Sequence, residues 1–221
     1  MIKDTLPEAE KGFAASKAET LGERLAHIYS VLANPLFVAV PLFLFVSLHS
    51  APDWQRALLW WGIITAGFTA APFLFIRQGV RRGRYTDNHV SVRPQRLIPL
   101  SFGLVCMILV FVLLLWLQAA PPLLATLTAA LVSLALAIAS TQFARYKISL
   151  HMIGVSGAVT TCCLLAGPAF LLLVPLIVLT GWARWKVGGH TPSQAVAGMT
   201  LAVVVTLIVF WLFGVGSLLR F

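Results

Sequence analysis

The stretch Gly181-Trp-Ala-Arg-Trp-Lys-Val-Gly-Gly-His-Thr-Pro-Ser-Gln194 is a short polar island between two long apolar runs. Its two adjacent glycines allow a tight backbone turn just before His190. Thr191 suits a helix N-cap, Pro192 suits the first helical position, and Gln194 completes a capping box. We therefore predict that the last helix begins here. His190 would lie at its positive end, where free backbone N–H groups favour an anion such as phosphate.

A simpler interpretation of the same island stays open. Trp182 and Trp185 alternate with Arg184 and Lys186, a pattern typical of loops at the membrane–water interface. In that case the island is a basic interfacial loop followed by a well-capped membrane helix.

The composition indicates an integral membrane protein. The chain has 221 residues, of which 59% are hydrophobic and 10% charged, and its mean hydropathy is +0.92. No soluble domain of this length buries so much apolar surface, so we predict an all-α fold, a polytopic transmembrane helical bundle of about six to seven membrane spans. The 16 basic residues outnumber the 7 acidic ones, which points to membrane orientation and anionic lipids and not to nucleic acid.

Seven apolar runs follow a polar N-terminal segment, residues 1–27, which we expect to be cytoplasmic or interfacial. Residues 28–221 are expected to form a single transmembrane domain. The fifth and sixth runs are short for spans of about 20 residues, so they are expected to form a tight hairpin at Gly167-Pro168 or a partly re-entrant pair. The runs cover residues 28–48, 57–76, 97–117, 123–141, 152–166, 169–180 and 195–213.

Charge is distributed unequally between the two faces that these runs define. Seven crossings place residues 1–27 and the polar loops 77–96, 142–151 and 181–194 on one face. Of the 16 lysines and arginines, 14 then lie on that face, and the other 2 (Arg56 and Arg220) lie on the opposite one. The positive-inside rule therefore predicts that the three loops are cytoplasmic, in a plasma (inner) membrane.

The three polar loops are predicted to form one site. They bring His89, His151 and His190, together with several arginines, to the ends of apolar spans. Arginine forks bind phosphate oxygens, and histidine can act as a nucleophile or proton donor near neutral pH. Asp87 is the only acid between the spans on this face, and no HExxH, paired-aspartate or P-loop motif occurs, so we expect no metal and no cofactor. A lipid with a phosphate head and an apolar tail would suit this arrangement.

Residues 84–198 resemble the type 2 phosphatidic acid phosphatases, the membrane relatives of the vanadium haloperoxidases. The third motif of that family is Arg, five residues, His, three residues, Asp, and it is similar to the segment from Arg184 through His190 to Gln194. The second motif, Pro-Ser-Gly-His, resembles Ile148-Ser-Leu-His151. The first, Lys, six residues, Arg-Pro, resembles the segment from Thr86 to Arg93-Pro94.

The resemblance implies a metal-independent phosphatase that forms a phosphohistidine. By position, His190 would be the nucleophile and His151 the general acid, while Arg184, Arg93 and Ser149 would bind the phosphate.

Three positions depart from the family pattern and make this chain a divergent member. Gln194 stands where the family has aspartate, Thr86 replaces the lysine of the first motif, and Leu150 replaces a glycine. An amide at position 194 can accept a hydrogen bond from the imidazole but cannot offset its positive charge. Lys147, Arg82 or Arg96 could supply the missing charge, and Lys147 and Arg96 are further candidates for phosphate binding.

The expected function is removal of phosphate from a phospholipid phosphate or a polyprenyl (di)phosphate, with membrane lipids as the partners. Two alternatives stay open. The bundle could bind or transport lipid head groups without turnover, or it could transfer the phosphoryl group to another lipid.

Overall fold

The structure is a computed structural model and describes residues 20–86, 95 and 97–215. These residues form helices and connecting segments and contain no strand, which confirms the predicted all-α bundle. The helices are α1 (Leu21–Leu32), α2 (Pro35–Ser50), α3 (Trp54–Ile64), a π-helix (Thr65–Ala70), α4 (Ala71–Arg81), α5 (Leu97–Trp116), α6 (Pro121–Gln142), α7 (Leu150–Ala166), a 3₁₀-helix (Pro168–Leu173), α8 (Val174–Lys186) and α9 (Pro192–Leu212).

The lengths and apolar character of these helices confirm a polytopic membrane protein. Among the described residues, five helical stretches are long and apolar enough to cross a membrane, and α1 with α2 forms a sixth if the bent pair is counted as one span. Helix α7 is apolar but has 17 residues, and at 1.5 Å per residue it is about 26 Å long, a little less than a hydrocarbon core of about 30 Å. The five stretches are Trp54–Arg81, Leu97–Trp116, Pro121–Gln142, Pro168–Lys186 and Pro192–Leu212.

The first helix begins inside the N-terminal segment that the sequence analysis assigned to residues 1–27. Helix α1 begins at Leu21, inside the segment 1–27, because Thr20 and Glu23 form a capping box. The first apolar run is also not one straight element, since α1 and α2 are bent by 50° at the break where Asn34 caps α2. Residues 1–19 lie outside the described part of the chain.

Helix α1 presents different faces to the bundle and to its surroundings. Ala26 and Ser30 are buried on the inner face. Leucine and isoleucine side chains at helical spacing are exposed on the other face: Leu21, Leu25, Ile28 and Leu32. Such a face suits contact with lipid.

The second predicted span contains a π-helix between α3 and α4. Pro72 sits in the first turn of α4 and has no N–H to donate to the carbonyl of the preceding turn. Widening the helix over residues 65–70 relieves the clash that the proline ring would otherwise make with that carbonyl.

The hairpin predicted at Gly167-Pro168 is present, but its second arm is longer than the sixth apolar run. Gly167 has a positive φ of 97°, and the chain then continues as one 3₁₀ and α-helical stretch from Pro168 to Lys186. The loop placed at residues 181–194 is therefore shorter, because residues 181–186 form the last turns of α8 and only residues 187–191 connect it to α9.

Contacts between helices bring several helix termini to one end of the bundle. Two hydrogen bonds show that α2 packs antiparallel to the α3–π segment: Trp61 Nε1 donates to the Val40 carbonyl, and Thr69 Oγ1 donates to the Leu36 carbonyl.

Helices α7 and α9 run parallel. Gly198 lies against Ser149 and Met152, and further along both helices Gly157 lies against Ala202 and Thr206. We call the end where α2, α7 and α9 begin and α8 ends the polar end.

Two apolar clusters hold the helices together. The larger one includes Phe43, Met107, Leu123 and Phe210, and the smaller one surrounds Met152, Val155 and Ile177. The smaller cluster lies on α7, α8 and α9 and thereby supports the segment that carries His190.

Candidate functional site

The predicted start of the last helix is confirmed in detail. Thr191 is the N-cap of α9, Pro192 follows it, and Gln194 closes a capping box in which the Thr191 side chain accepts from the Gln194 N–H. The side-chain oxygen of Gln194 accepts in turn from the Thr191 N–H at 3.3 Å. The same oxygen lies 3.0 Å from Nδ1 of His190.

This arrangement decides which nitrogen of His190 carries the proton. Because a backbone N–H donates to Oε1 of Gln194, that atom is an acceptor, and Nδ1 of His190 must be the donor. In the neutral ring the lone pair is then on Nε2. His190 is 7% exposed, and it lines a cavity in the bundle.

Arg184 is held between α1 and the glycine turn. Its Nη1 donates to Oγ of Ser30 at 2.6 Å, and the side chain is 6% exposed. The guanidinium lies directly against Gly189, where an added Cβ would overlap its Nη2 and Cζ atoms. The N–H groups of Gly189 and His190 both donate to the Arg184 carbonyl, at 3.0 and 3.2 Å, so this turn and the arginine form one local unit.

Lys147 and His151 reach the same cavity from the segment that enters α7. Nζ of Lys147 donates to the Gly189 carbonyl at 3.2 Å, which ties the predicted second loop to the third. His151 is in the first turn of α7 and is 6% exposed. Lys147, His151, Arg184 and His190 therefore converge on one cavity, as predicted for residues from two separate loops.

Ser149 lies beside this group but does not line the cavity. It is the N-cap residue of α7, is fully buried, and its N–H donates to the Gln194 carbonyl at 3.3 Å. Its hydroxyl has no hydrogen-bond partner among the described residues. In this conformation Ser149 joins α7 to α9 through its backbone.

Part of the first predicted loop is outside the described residues. Arg93 and Arg96, predicted to bind phosphate, lie there, as do Asp87 and His89. Thr86 is described, and its N–H and hydroxyl donate to Oε1 of Gln95 at 3.1 and 3.3 Å. The residue in the place of the family lysine thus links the two ends of that loop.

The cavity has a volume of about 200 Å³, and its cationic and histidine side chains all lie at one end. This exceeds the roughly 150 Å³ of an engineered cavity that accommodates benzene, so it can hold part of a hydrocarbon chain. The polar end carries the four residues above together with Asn34, and the rest is mainly apolar or small side chains such as Phe43, Phe68, Met107, Ala130 and Ala158.

The electrostatics of the polar end favour an anion. Helices α2, α7 and α9 all begin there, and each helix N-terminus carries a partial positive charge. Two cationic side chains, Lys147 and Arg184, add to this charge, and none of the described lining residues is acidic.

Among the residues that the structure describes, no group of three or more His, Cys, Asp or Glu side chains could hold a metal ion.

Two contributors to the site were missed from the sequence. Ser30 and Asn34 lie within the first apolar run, and both were assigned to a span without a role. Asn34-Pro35 is an N-cap followed by proline, which is a signal for a helix start and could have revealed the break. No local pattern marks Ser30 as a partner of Arg184.

No protein-family model, curated protein or solved structure matches this chain. Membership of the phosphatase family therefore stays a prediction based on the three motifs.

Proposed function

We propose that this chain is an integral membrane phosphatase that removes phosphate from a lipid phosphate or a polyprenyl (di)phosphate. One observation carries the proposal: a single cavity joins a cationic, histidine-containing end to an apolar interior. A phosphate group suits the cations and helix N-termini, and a hydrocarbon chain suits the remainder. The resemblance to the type 2 phosphatidic acid phosphatases is consistent with it.

In the proposed reaction, Nε2 of His190 attacks phosphorus and the bond to the ester oxygen breaks. The leaving oxygen takes a proton from His151 and departs as the alcohol of the lipid, or as the lipid monophosphate when the substrate is a diphosphate. Water then cleaves the phosphohistidine bond and releases inorganic phosphate. Arg184 and Lys147 offset the negative charge on the phosphoryl oxygens, and Arg93 and Arg96 are proposed to add to them from the first loop.

Gln194 has a defined role in this scheme. By accepting from Nδ1–H it leaves Nε2 as the attacking atom. As a neutral amide, it stabilises the imidazolium-like charge of the intermediate less than a carboxylate would.

The proposed location of the site is the cytoplasmic face of the plasma membrane. The 14 to 2 distribution of lysine and arginine supports this placement.

A second function, binding of lipid head groups without turnover, is favoured by the uncharged Gln194 and by Thr86 at the lysine position. Its signature would be saturable binding of a lipid phosphate without release of inorganic phosphate.

The decisive experiment measures inorganic phosphate released by the purified protein in detergent with EDTA present. The substrates are phosphatidic acid, phosphatidylglycerol phosphate, and polyprenyl mono- and diphosphates. His190→Asn is compared with His49→Asn, since His49 is an exposed histidine at the opposite end of α2. We expect release by the wild type and by His49→Asn, and none by His190→Asn. Equal release by both variants would overturn the nucleophile assignment, and no release by the wild type would overturn hydrolysis.

A further inference from the structure

Helix α1 is joined to α8 by hydrogen bonds that lie along one face of α8. The hydroxyl of Tyr29 donates to the Leu176 carbonyl at 3.0 Å and lies 3.3 Å from Oγ1 of Thr180. One helical turn further along α8, Ser30 meets Arg184. Leu176, Thr180 and Arg184 are spaced four residues apart, so they lie on the same face of α8, and this face is covered by α1.

The contact with Ser30 controls the direction of the Arg184 guanidinium. A guanidinium is a planar group with five N–H donors in a fixed fork, so holding one nitrogen and one face determines where the other donors point. Oγ of Ser30 accepts from Nη1, and Gly189 lies against the guanidinium at Nη2 and Cζ. Ser30 itself is 3% exposed, so this hydrogen bond is shielded from water.

We infer that Ser30 is a positioning residue for phosphate binding, which acts by orienting Arg184 toward the polar end of the cavity. Helix α1 is then part of the site and not a lead-in to it. The inference rests on the proposed function for the ligand class, an amphiphile with a phosphate head, but it does not require hydrolysis.

The test measures binding of n-dodecyl phosphate to the full chain in detergent by calorimetry, with dodecyltrimethylammonium as a ligand of opposite charge. Ser30→Ala removes the hydroxyl, Ser30→Thr retains it, and Tyr29→Phe removes the neighbouring α1–α8 hydrogen bond without touching Arg184. We expect Ser30→Ala to weaken dodecyl phosphate binding about tenfold, because a misoriented Arg184 loses about one charge-assisted hydrogen bond to the phosphate. Ser30→Thr and Tyr29→Phe should stay near the wild type, and binding of the cationic ligand should not change.

A double-mutant cycle separates positioning from a general effect on the fold. In an Arg184→Gln background, Ser30→Ala should produce little further loss, because the group that it orients is absent. The same tenfold loss in both backgrounds, or no loss in either, would overturn the inference. If Ser30→Ala does not fold, Ser30→Cys provides the weaker hydrogen-bonding group at nearly the same size.

A result against the role of Ser30 can be distinguished from a result against the proposed phosphatase activity. A wild type that binds dodecyl phosphate and loses affinity in Ser30→Ala supports the inference even if it releases no phosphate from any substrate. A wild type that shows no affinity for dodecyl phosphate would overturn it. If the protein hydrolyses lipid phosphates, Ser30→Ala should raise KM more than it lowers kcat.

Discussion

Oε1 of Gln194 lies 3.0 Å from Nδ1 of His190 and simultaneously accepts the N–H of Thr191. A helix cap and the orientation of the candidate nucleophile therefore depend on a single side-chain oxygen. The two roles can be separated by substitutions that change the charge of residue 194 and retain its shape.

Gln194→Glu is expected to raise kcat for phosphate release at least tenfold. A carboxylate can accept the same two hydrogen bonds and also offsets the positive charge that forms on His190, as the aspartate of a serine-protease triad stabilises its imidazolium. Gln142→Glu is the matched control, because Gln142 is exposed at the end of α6. Initial rates at saturating substrate would show the difference, and an unchanged rate in Gln194→Glu would count against a charged intermediate at His190.

Gly189→Ala is expected to reduce phosphate affinity about 10- to 100-fold, the range for loss of one or more charge-assisted hydrogen bonds. Its methyl group would overlap the guanidinium of Arg184 and displace it from the cavity. Gly188→Ala meets no atom within 4 Å, but its φ of +66° costs about 1–2 kcal/mol of stability for a residue with a Cβ. Binding titrations should therefore show the larger loss of affinity in Gly189→Ala, and Gly188→Ala should keep its affinity but unfold at a lower temperature than the wild type. A similar loss of affinity in both variants would contradict the displacement of Arg184.

Ala130→Leu is expected to raise KM for phosphates with long alkyl chains and to leave butyl phosphate unaffected. Ala130 lines the cavity, so a larger side chain takes space that an apolar tail would occupy. Ala135 is exposed on the same helix, and Ala135→Leu controls for the added volume. Steady-state kinetics over a series of chain lengths is the measurement, and an equal effect on short and long substrates would exclude a tail-binding role.

Gly198→Ala is expected to destabilise the fold by about 1–3 kcal/mol, the usual cost of overpacking. An added Cβ would lie 2.7 Å from the carbonyl oxygen of Ser149 and 3.1 Å from Cβ of Met152, where α7 and α9 are in close contact. Gly181→Ala would meet only the Met152 side chain at 3.8 Å and should be tolerated. Thermal unfolding in detergent would compare them, and equal midpoints would show that the α7–α9 contact can relax.

A cysteine at position 186 is expected to react with an impermeant thiol reagent only from the cytoplasmic side. Lys186 is exposed at the end of α8, and the three native cysteines are buried or partly buried. Gln55→Cys, in the first turn of α3 at the end of the bundle opposite the polar end, should react only from the other side. Labelling of intact cells and of inverted vesicles would decide, and the reverse pattern would place the site outside the cytoplasm.

The sequence alone determined the membrane class, the all-α fold and the start of α9, because each depends on local features. An apolar run of span length and a capping box are both contiguous in the sequence, so they can be recognised without the tertiary structure. The same holds for the tight turn at Gly167. The prediction that Lys147, His151, Arg184 and His190 share one region also followed from counting membrane crossings.

Only the tertiary structure decided how those residues meet. The bond between Ser30 and Arg184 joins positions separated by 154 residues, and the cavity exists because helices with small residues on their facing sides pack around it. In a membrane the apolar surface of a helix is similar all around, so hydropathy does not say which side faces a neighbour. Side-chain packing and a few hydrogen bonds between helices make that choice. For this reason the sequence assigned Ser30 to an apolar span without a role, although it bonds to Arg184.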